Sequence, residues 1–491
     1  MVVCNFPQTS PPIGQASTSC LRKFTIHFRR PEKLKQKKGA TYKGEYCFDW
    51  LRNEYIYPIE EVLYDNCSDS ESPIPINDYR ALCLKSDQLK LEYLQVGIAD
   101  PIQPHGQDYY PAWLSIFASK VKGDNADKGS DMHKDGVYLD LQLDEIDKII
   151  NDGTEIFFKP SEPCLKITPE RISISEFLKT KREEQIIYNK DEQPEIYYYY
   201  KLENAVKIIC QGDTLKQHEM IKVFAKLGPT KIEVGRLMVY KNDNIGKANI
   251  VVVNVITKYH NNKKVIPQSH PSLKSLYNYQ SFNQARIKVK IKVIEDFDLF
   301  ALSKHDDVYN FLQAINNLTY MSSKDRTNFI CKTLLDLYEK YGKLSLKVKK
   351  INAKDHTNTY AFFTTIDNEY ANGAVYYDET KNELANRFVI FKNGLTKDHT
   401  YVHEAGHCFS LPHVFSSKSP HIFYEGYTDN YMDYLQHWGN YYRTREIGGI
   451  NDTFFKARGV IADNQYKDNI YSFFKWQWDL MFNDQSIEKK K

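Results

Sequence analysis

The sequence predicts a multidomain chain: two N-terminal β-rich, sandwich-like domains, then an α+β domain that carries the chemistry. The chain has 491 residues, too many for one ordinary domain. Its first half consists of short apolar runs broken by turn signals, whereas beyond residue 285 strand patterns alternate with helical ones. A cluster of closely spaced histidines falls late, within residues 400–415.

Composition narrows the function classes. Lys and Arg total 66 against 63 Asp and Glu, so a net charge of +3 offers neither nucleic acid nor an anionic membrane a dominant field. The 36 tyrosines suit β-rich architecture. Nine cysteines are an odd number without a C-x-x-C pair, which reads as scattered reduced thiols, although Cys20, Cys47, Cys67 and Cys83 are close enough in sequence to pair. No apolar run reaches membrane-spanning length, and residues 1–14 have neither a basic start nor a long apolar core. The expectation is a soluble protein without a classical signal peptide, exported by a leaderless route or else cytoplasmic.

Residues 1–20, rich in Pro, Ser and Thr, read as a flexible tail. A first β-rich accessory domain is expected over 21–158, with strands at 24–28, 44–57, 89–96, 113–121 and 137–143 and a short helix near 144–151. A second, sandwich-like one is expected over 159–260, from strands at 166–168, 172–174, 195–202, 205–210, 219–227, 231–240 and 248–257. Residues 261–284, with His, Asn, Pro and Ser, read as a linker. The α+β domain follows over 285–485. It opens on the alternating strand 286–294, continues with helices over 306–318 and 325–341, and adds strands at 344–348, 360–366, 374–377 and 387–391. Residues 486–491 form a basic tail. There is no internal repeat, no phosphate-cradling glycine loop and no G-x-S-x-G.

The stretch 400–415 reads T-Y-V-H-E-A-G-H-C-F-S-L-P-H-V-F. His403 and His407 are four apart and share one helix face, so both can reach one ion. Glu404 falls beside that ion's open side, where a carboxylate serves as proton acceptor rather than ligand. His413 lies beyond a chain reversal and supplies a third imidazole. Three nitrogens with one position free describe a catalytic zinc site rather than a closed structural one.

The form H-E-x-x-H-x-x-S-x-x-H over 403–413 resembles the extended zinc motif of the metzincin metallopeptidases. Downstream, T-D-N-Y-M-D-Y at 428–434 is similar to that family's Met-turn, closest to the pappalysin and cytophagalysin form, and places Met432 beneath the metal. Residues 411–415 (L-P-H-V-F) and 473–481 (F-F-K-W-Q-W-D-L-M) point the same way. The resemblance implies a zinc endopeptidase with His403, His407 and His413 as ligands to one Zn²⁺ and Glu404 as general base. It also implies an on-and-off role at the metal for Tyr434, and a substrate-binding edge strand at Gly373, Ala374 and Val375. Calcium is not readable. Ser410 stands where the family usually has glycine, at a helix end that requires a left-handed residue. His399, His421 and His437 read as surface or hydrogen-bonding residues, with His437 a candidate for the pocket wall. The expected partners are a peptide or protein substrate and, through the N-terminal β domains, a secretion apparatus or cell surface. The rival expectation is a non-catalytic adhesion, docking or delivery protein built on the same scaffold.

Overall fold

A computed structural model describes residues 21, 23–65, 74–94, 100–188, 193–317, 323–342, 358–369, 371–378, 383–438, 460–464 and 466–489. The expected tail 1–20 and strand 344–348 lie outside these. The chain is mixed α/β, with several sheets.

Period-two alternation builds the N-terminal part. Phe24, Ile26 and Phe28 alternate inward on one strand, Leu139, Leu141 and Leu143 on the next. One six-stranded sheet runs in the order Phe24–Arg29, Val137–Glu145, Pro194–Gln211, Leu165–Thr168, with Arg182–Tyr188 and Ala118–Ser119 also paired to the long third strand. The other runs Arg171–Ser173, Glu155–Pro160, Glu219–Leu227, Thr230–Val239, Ala112–Ser115, Cys47–Asp49. Their inner faces close on one apolar core that joins Phe24, Leu141, Ile156, Ile208 and Val223. The two expected accessory domains are therefore one sandwich. Each sheet takes strands from both sides of residue 158, which itself falls inside the strand Glu155–Pro160, and neither half could cover its apolar face alone.

Two further elements differ from expectation. Residues 86–94 form a helix rather than a strand, because Leu89 and Tyr93, four apart, bury one helical face. The strand expected over 44–57 shortens to Cys47–Asp49 and gives way to the helix Asn53–Ile56. The helix expected near 144–151 is absent, since the strand Val137–Glu145 runs through its start.

The third sheet orders Ile287–Asp298, Gly246–Ile256, Thr359–Thr364, Glu383–Ile390 and Gly373–Asp378. The first four are parallel and Gly373–Asp378 is antiparallel. Gly246–Ile256, expected in the second accessory domain, lies inside this sheet. Its run of valines buries Ile250 and Val252 on one face and Val251, Val253 and Val255 on the other, as a covered parallel strand does. Helices Asp306–Ala314 and Ser323–Tyr341 cover the second face, and the histidine helix Asp398–Cys408 covers the first. The expected linker 261–284 is instead packed structure. Leu276, Tyr277 and Phe282 are buried, and the Asn278 side chain bonds both backbone groups of Val289 at 2.8 and 2.9 Å.

The first face is completed from the N-terminal part. Tyr55, Ile56, Leu89 and Tyr93 share one core with Tyr401, Val402 and Met432. Backbone bonds tie Leu84 to Ile422 (2.9 Å) and Tyr424 to Leu82 (3.2 Å). Among the described residues no helix is long and apolar enough to cross a membrane.

Two outcomes follow from this packing. A fragment starting at residue 285 lacks the interior strand Gly246–Ile256 and more than a third of the first-face core, so its near-ultraviolet circular dichroism will show no fixed aromatic packing. Within the sandwich, the buried His133 accepts from the Phe117 N–H (2.9 Å) through Nδ1 and donates to the Glu45 carbonyl (3.0 Å). Burial pushes its pKa down to about 4. Above the unfolded value of 6.5 this histidine's contribution is complete. As pH falls from 6.5 toward 4 the unfolded chain takes up a proton that the fold refuses, at a cost of up to about 1.4 kcal/mol per pH unit. His133→Asn should flatten the melting temperature's pH dependence in that window.

Candidate metal centre

The centre is built on the helix Asp398–Cys408, whose Tyr401, Val402, Ala405 and Cys408 bury against the sheet. Asp398 sits in its first turn, where a carboxylate meets the positive end of the helix. The helix ends in a left-handed reversal. The Leu411 N–H bonds the Gly406 carbonyl (3.1 Å) and the Ser410 N–H bonds the His407 carbonyl (3.2 Å), with Ser410 at φ +65°. A non-glycine residue there costs about 1–2 kcal/mol. The Ser410 hydroxyl donates to Asp484 at 2.5 Å, which offsets part of it. Pro412 keeps the chain from re-entering a helix, and His413 returns over the end of the helix it left.

The three histidines meet. Nε2 of His403 lies 3.0 Å from Nε2 of His413 and 3.2 Å from that of His407, and the latter two are 3.1 Å apart. His403 Nδ1 points at the Tyr431 carbonyl (2.8 Å) and His407 Nδ1 at the Leu411 carbonyl (2.7 Å). A carbonyl only accepts, so both Nδ1 atoms carry the hydrogen and both Nε2 atoms turn lone pairs to the common centre. Burial pushes His407 down to about 4; it also lowers His403 and His413 well below the ordinary value, with mutual repulsion adding to both. Neutral imidazoles with convergent lone pairs are the donor set of a metal site. The spacing approaches the roughly 3.3 Å edge of a tetrahedral face around zinc with nitrogen ligands at 2.0–2.1 Å. The group could hold a metal ion and is compatible with zinc.

A turn beneath the helix orients these ligands. The Asp433 N–H bonds the Asn430 carbonyl (3.0 Å), and the Asn430 side chain accepts from the Met432 N–H (2.9 Å). The turn's Tyr431 carbonyl holds His403, while the Met432 carbonyl takes the Val414 N–H (3.2 Å) beside His413. His399, expected as a surface or hydrogen-bonding residue, is on the helix and bonds the Asp433 carbonyl (3.1 Å). Burial pushes the Asp433 carboxyl up to about 6, although the N–H groups of Gly426, Thr428 and Tyr434 and the Thr428 hydroxyl all donate to it. Met432 is fully buried, and a Cβ on Gly406 would come within 2.7 Å of its sulfur.

Glu404 is 7% exposed, and burial alone pushes its carboxyl up to about 8. It faces Gly373, where a Cβ would stand 2.9 Å from Oε1. Gly373, Ala374 and Val375 pair with Ile390, Val389 and Phe388 on the last strand of the sheet. Tyr434 packs its ring on His413 (5.1 Å between centroids) and Phe415 (4.9 Å). The structure thus gathers the histidines, Glu404, Met432, Tyr434 and the edge strand at one place. His421 stands apart, in a buried group with Glu92 and Trp476. The His437 side chain lies outside the described residues. Sequence reasoning missed Asp429, whose carboxylate is held by Arg30 and Arg52, and the Asn430–Gln477 pair (2.6 Å). No local signal joins residues so far apart in the chain.

The chain matches no known family model and no curated protein.

Gly406→Ala tests the close approach of helix and turn. Alanine adds about 1 kcal/mol of helix propensity, but overpacking against Met432 costs about 1–3 kcal/mol. The expected outcome is a lower melting temperature and weaker zinc protection against melting.

Proposed function

We propose that this chain is a zinc endopeptidase of the metzincin type. The observation that carries the reading is the convergence of three imidazole Nε2 atoms beside one buried carboxyl and one sheet-edge strand. A bound zinc would supply Lewis acidity toward water and a peptide carbonyl. His403, His407 and His413 hold it, fixed by the Tyr431 and Leu411 carbonyls and the turn at Met432. An extended peptide adds by backbone hydrogen bonds to the side of Gly373–Asp378 that no described strand occupies, which sets its scissile carbonyl against Glu404. In its ionised form, which a bound cation would favour over the buried acid, Glu404 accepts the attacking water's proton and returns it to the departing amine nitrogen. Tyr434, packed on His413, supplies a further hydrogen bond at the carbonyl oxygen.

Cleavage of an unbiased peptide mixture, read by mass spectrometry, tests this. The full chain should cut, a chelator should stop it, and Glu404→Ala should lower the rate by roughly 10²–10⁴-fold. Gly373→Ala should slow cleavage with zinc content unchanged, because its Cβ displaces Glu404. A zinc-loaded chain that cuts nothing would leave the docking or delivery reading in its place.

A further inference from the structure

The turn under the histidine helix is anchored from outside its own fold. Asp429, three residues before Met432, is 1% exposed. Both its carboxylate oxygens lie 2.8 Å from Nη2 of Arg52, and Nη2 of Arg30 lies 2.9 Å from Oδ2. Arg30 directly follows the first strand of the sandwich, and Arg52 directly precedes the helix Asn53–Ile56. Neither guanidinium is loose: Arg52 stacks on Trp50 (4.1 Å) and Arg30 on Tyr42 (4.6 Å). Burial pushes the Asp429 carboxyl up, but Arg52 and Arg30 together hold it below the ordinary carboxylate value, so it stays charged.

From this carboxylate a short path leads to the metal ligands. The Asp429 carbonyl takes the Ser472 hydroxyl (2.9 Å), and the Ser472 carbonyl takes the Tyr431 N–H (2.9 Å). The Tyr431 carbonyl in turn takes the His403 Nδ1–H (2.8 Å). Solvent-exposed ion pairs hold little. Here Arg52 and Asp429 are buried, and removing one strands a charge away from water.

We infer that Arg30 and Arg52 are positioning residues of the metal centre, acting through Asp429 to fix the turn whose Tyr431 carbonyl orients His403. The N-terminal sandwich is then part of the site and not an appended module. The inference rests on the metal-holding reading above, so the test has one arm that needs no metal.

The full chain is compared with Arg52→Gln, with the apolar triple variant Arg30→Met/Arg52→Met/Asp429→Leu, and with Val223→Ala in the sandwich core. Zinc affinity is measured by competition with a chromogenic chelator, and amide exchange of Tyr431 is followed in zinc-free protein. Arg52→Gln should weaken zinc binding at least tenfold and speed Tyr431 exchange. The triple variant removes the three charges of the clamp together and leaves Asp49, 3.5 Å from Arg52, only the Tyr93 hydroxyl and the Lys475 N–H, so it melts closer to the unaltered chain than Arg52→Gln does while its zinc affinity still falls. Val223→Ala should lower the melting temperature without touching either readout. Unchanged zinc affinity and exchange in the clamp variants overturn the inference. So does a loss of zinc that merely tracks melting temperature across all variants. If the unaltered chain takes up no zinc, the metal reading falls; Tyr431 exchange then decides alone whether the clamp fixes the turn.

Discussion

Three imidazole nitrogens face one another across 3.0–3.2 Å, those of His403 and His407 with their lone pairs fixed inward, and the surrounding structure is what keeps them there. Left alone the arrangement is unfavourable: like dipoles converge at a site that is at least partly withdrawn from water. It persists because the constraints nearest the rings are made by backbone. Carbonyls fix two tautomers, a left-handed residue at Ser410 returns His413 over the helix end, and Gly406 lets Met432 approach. Backbone is the stiffest means available, since it adds no rotamer freedom to the ligand positions.

The same demand explains why the sandwich is fused to the α/β part. A two-sided parallel sheet needs cover on both faces. One face is covered by two helices, Asp306–Ala314 and Ser323–Tyr341, but the histidine helix is a single helix and leaves part of the other face uncovered. Residues 53–56 and 86–94 fill that gap, and the polar contacts at Asp49 and Asp429 fix where they dock. Asp49 accepts from the Tyr93 hydroxyl (2.6 Å) and the Lys475 N–H (2.7 Å), so one buried carboxyl registers a helix of the N-terminal part against the C-terminal one.

What was legible in the sequence was whatever is written in consecutive residues. The histidine spacing, the turn around Met432, the left-handed need at Ser410 and the apolar periodicity of the helices are all local, and the structure brings these residues together. Most strands were legible too. Their assignment to sheets was not, because alternation says which face is buried but not against what. Hence two domains were expected where one sandwich stands. Likewise the valine run of Gly246–Ile256 marked a buried strand but not its sheet. The Asp429 clamp was invisible for the same reason: Arg30 and Arg52 are ordinary basic residues until folding sets them around one carboxylate.

The two edges of the third sheet carry a further argument. Ile287–Asp298 ends one side and is studded with Lys288, Lys290 and Lys292, the charged residues that keep an edge from recruiting another strand. Among the described residues Gly373–Asp378 ends the other and opens with Gly373, Ala374 and Val375, without a charge at the start. An unguarded edge is a liability unless something is meant to pair with it. It lies beside Glu404, and a side chain on the glycine at its start would strike that carboxylate. Guarding one edge and opening the other at the buried carboxyl is the pattern expected of a sheet that binds its substrate as an added strand.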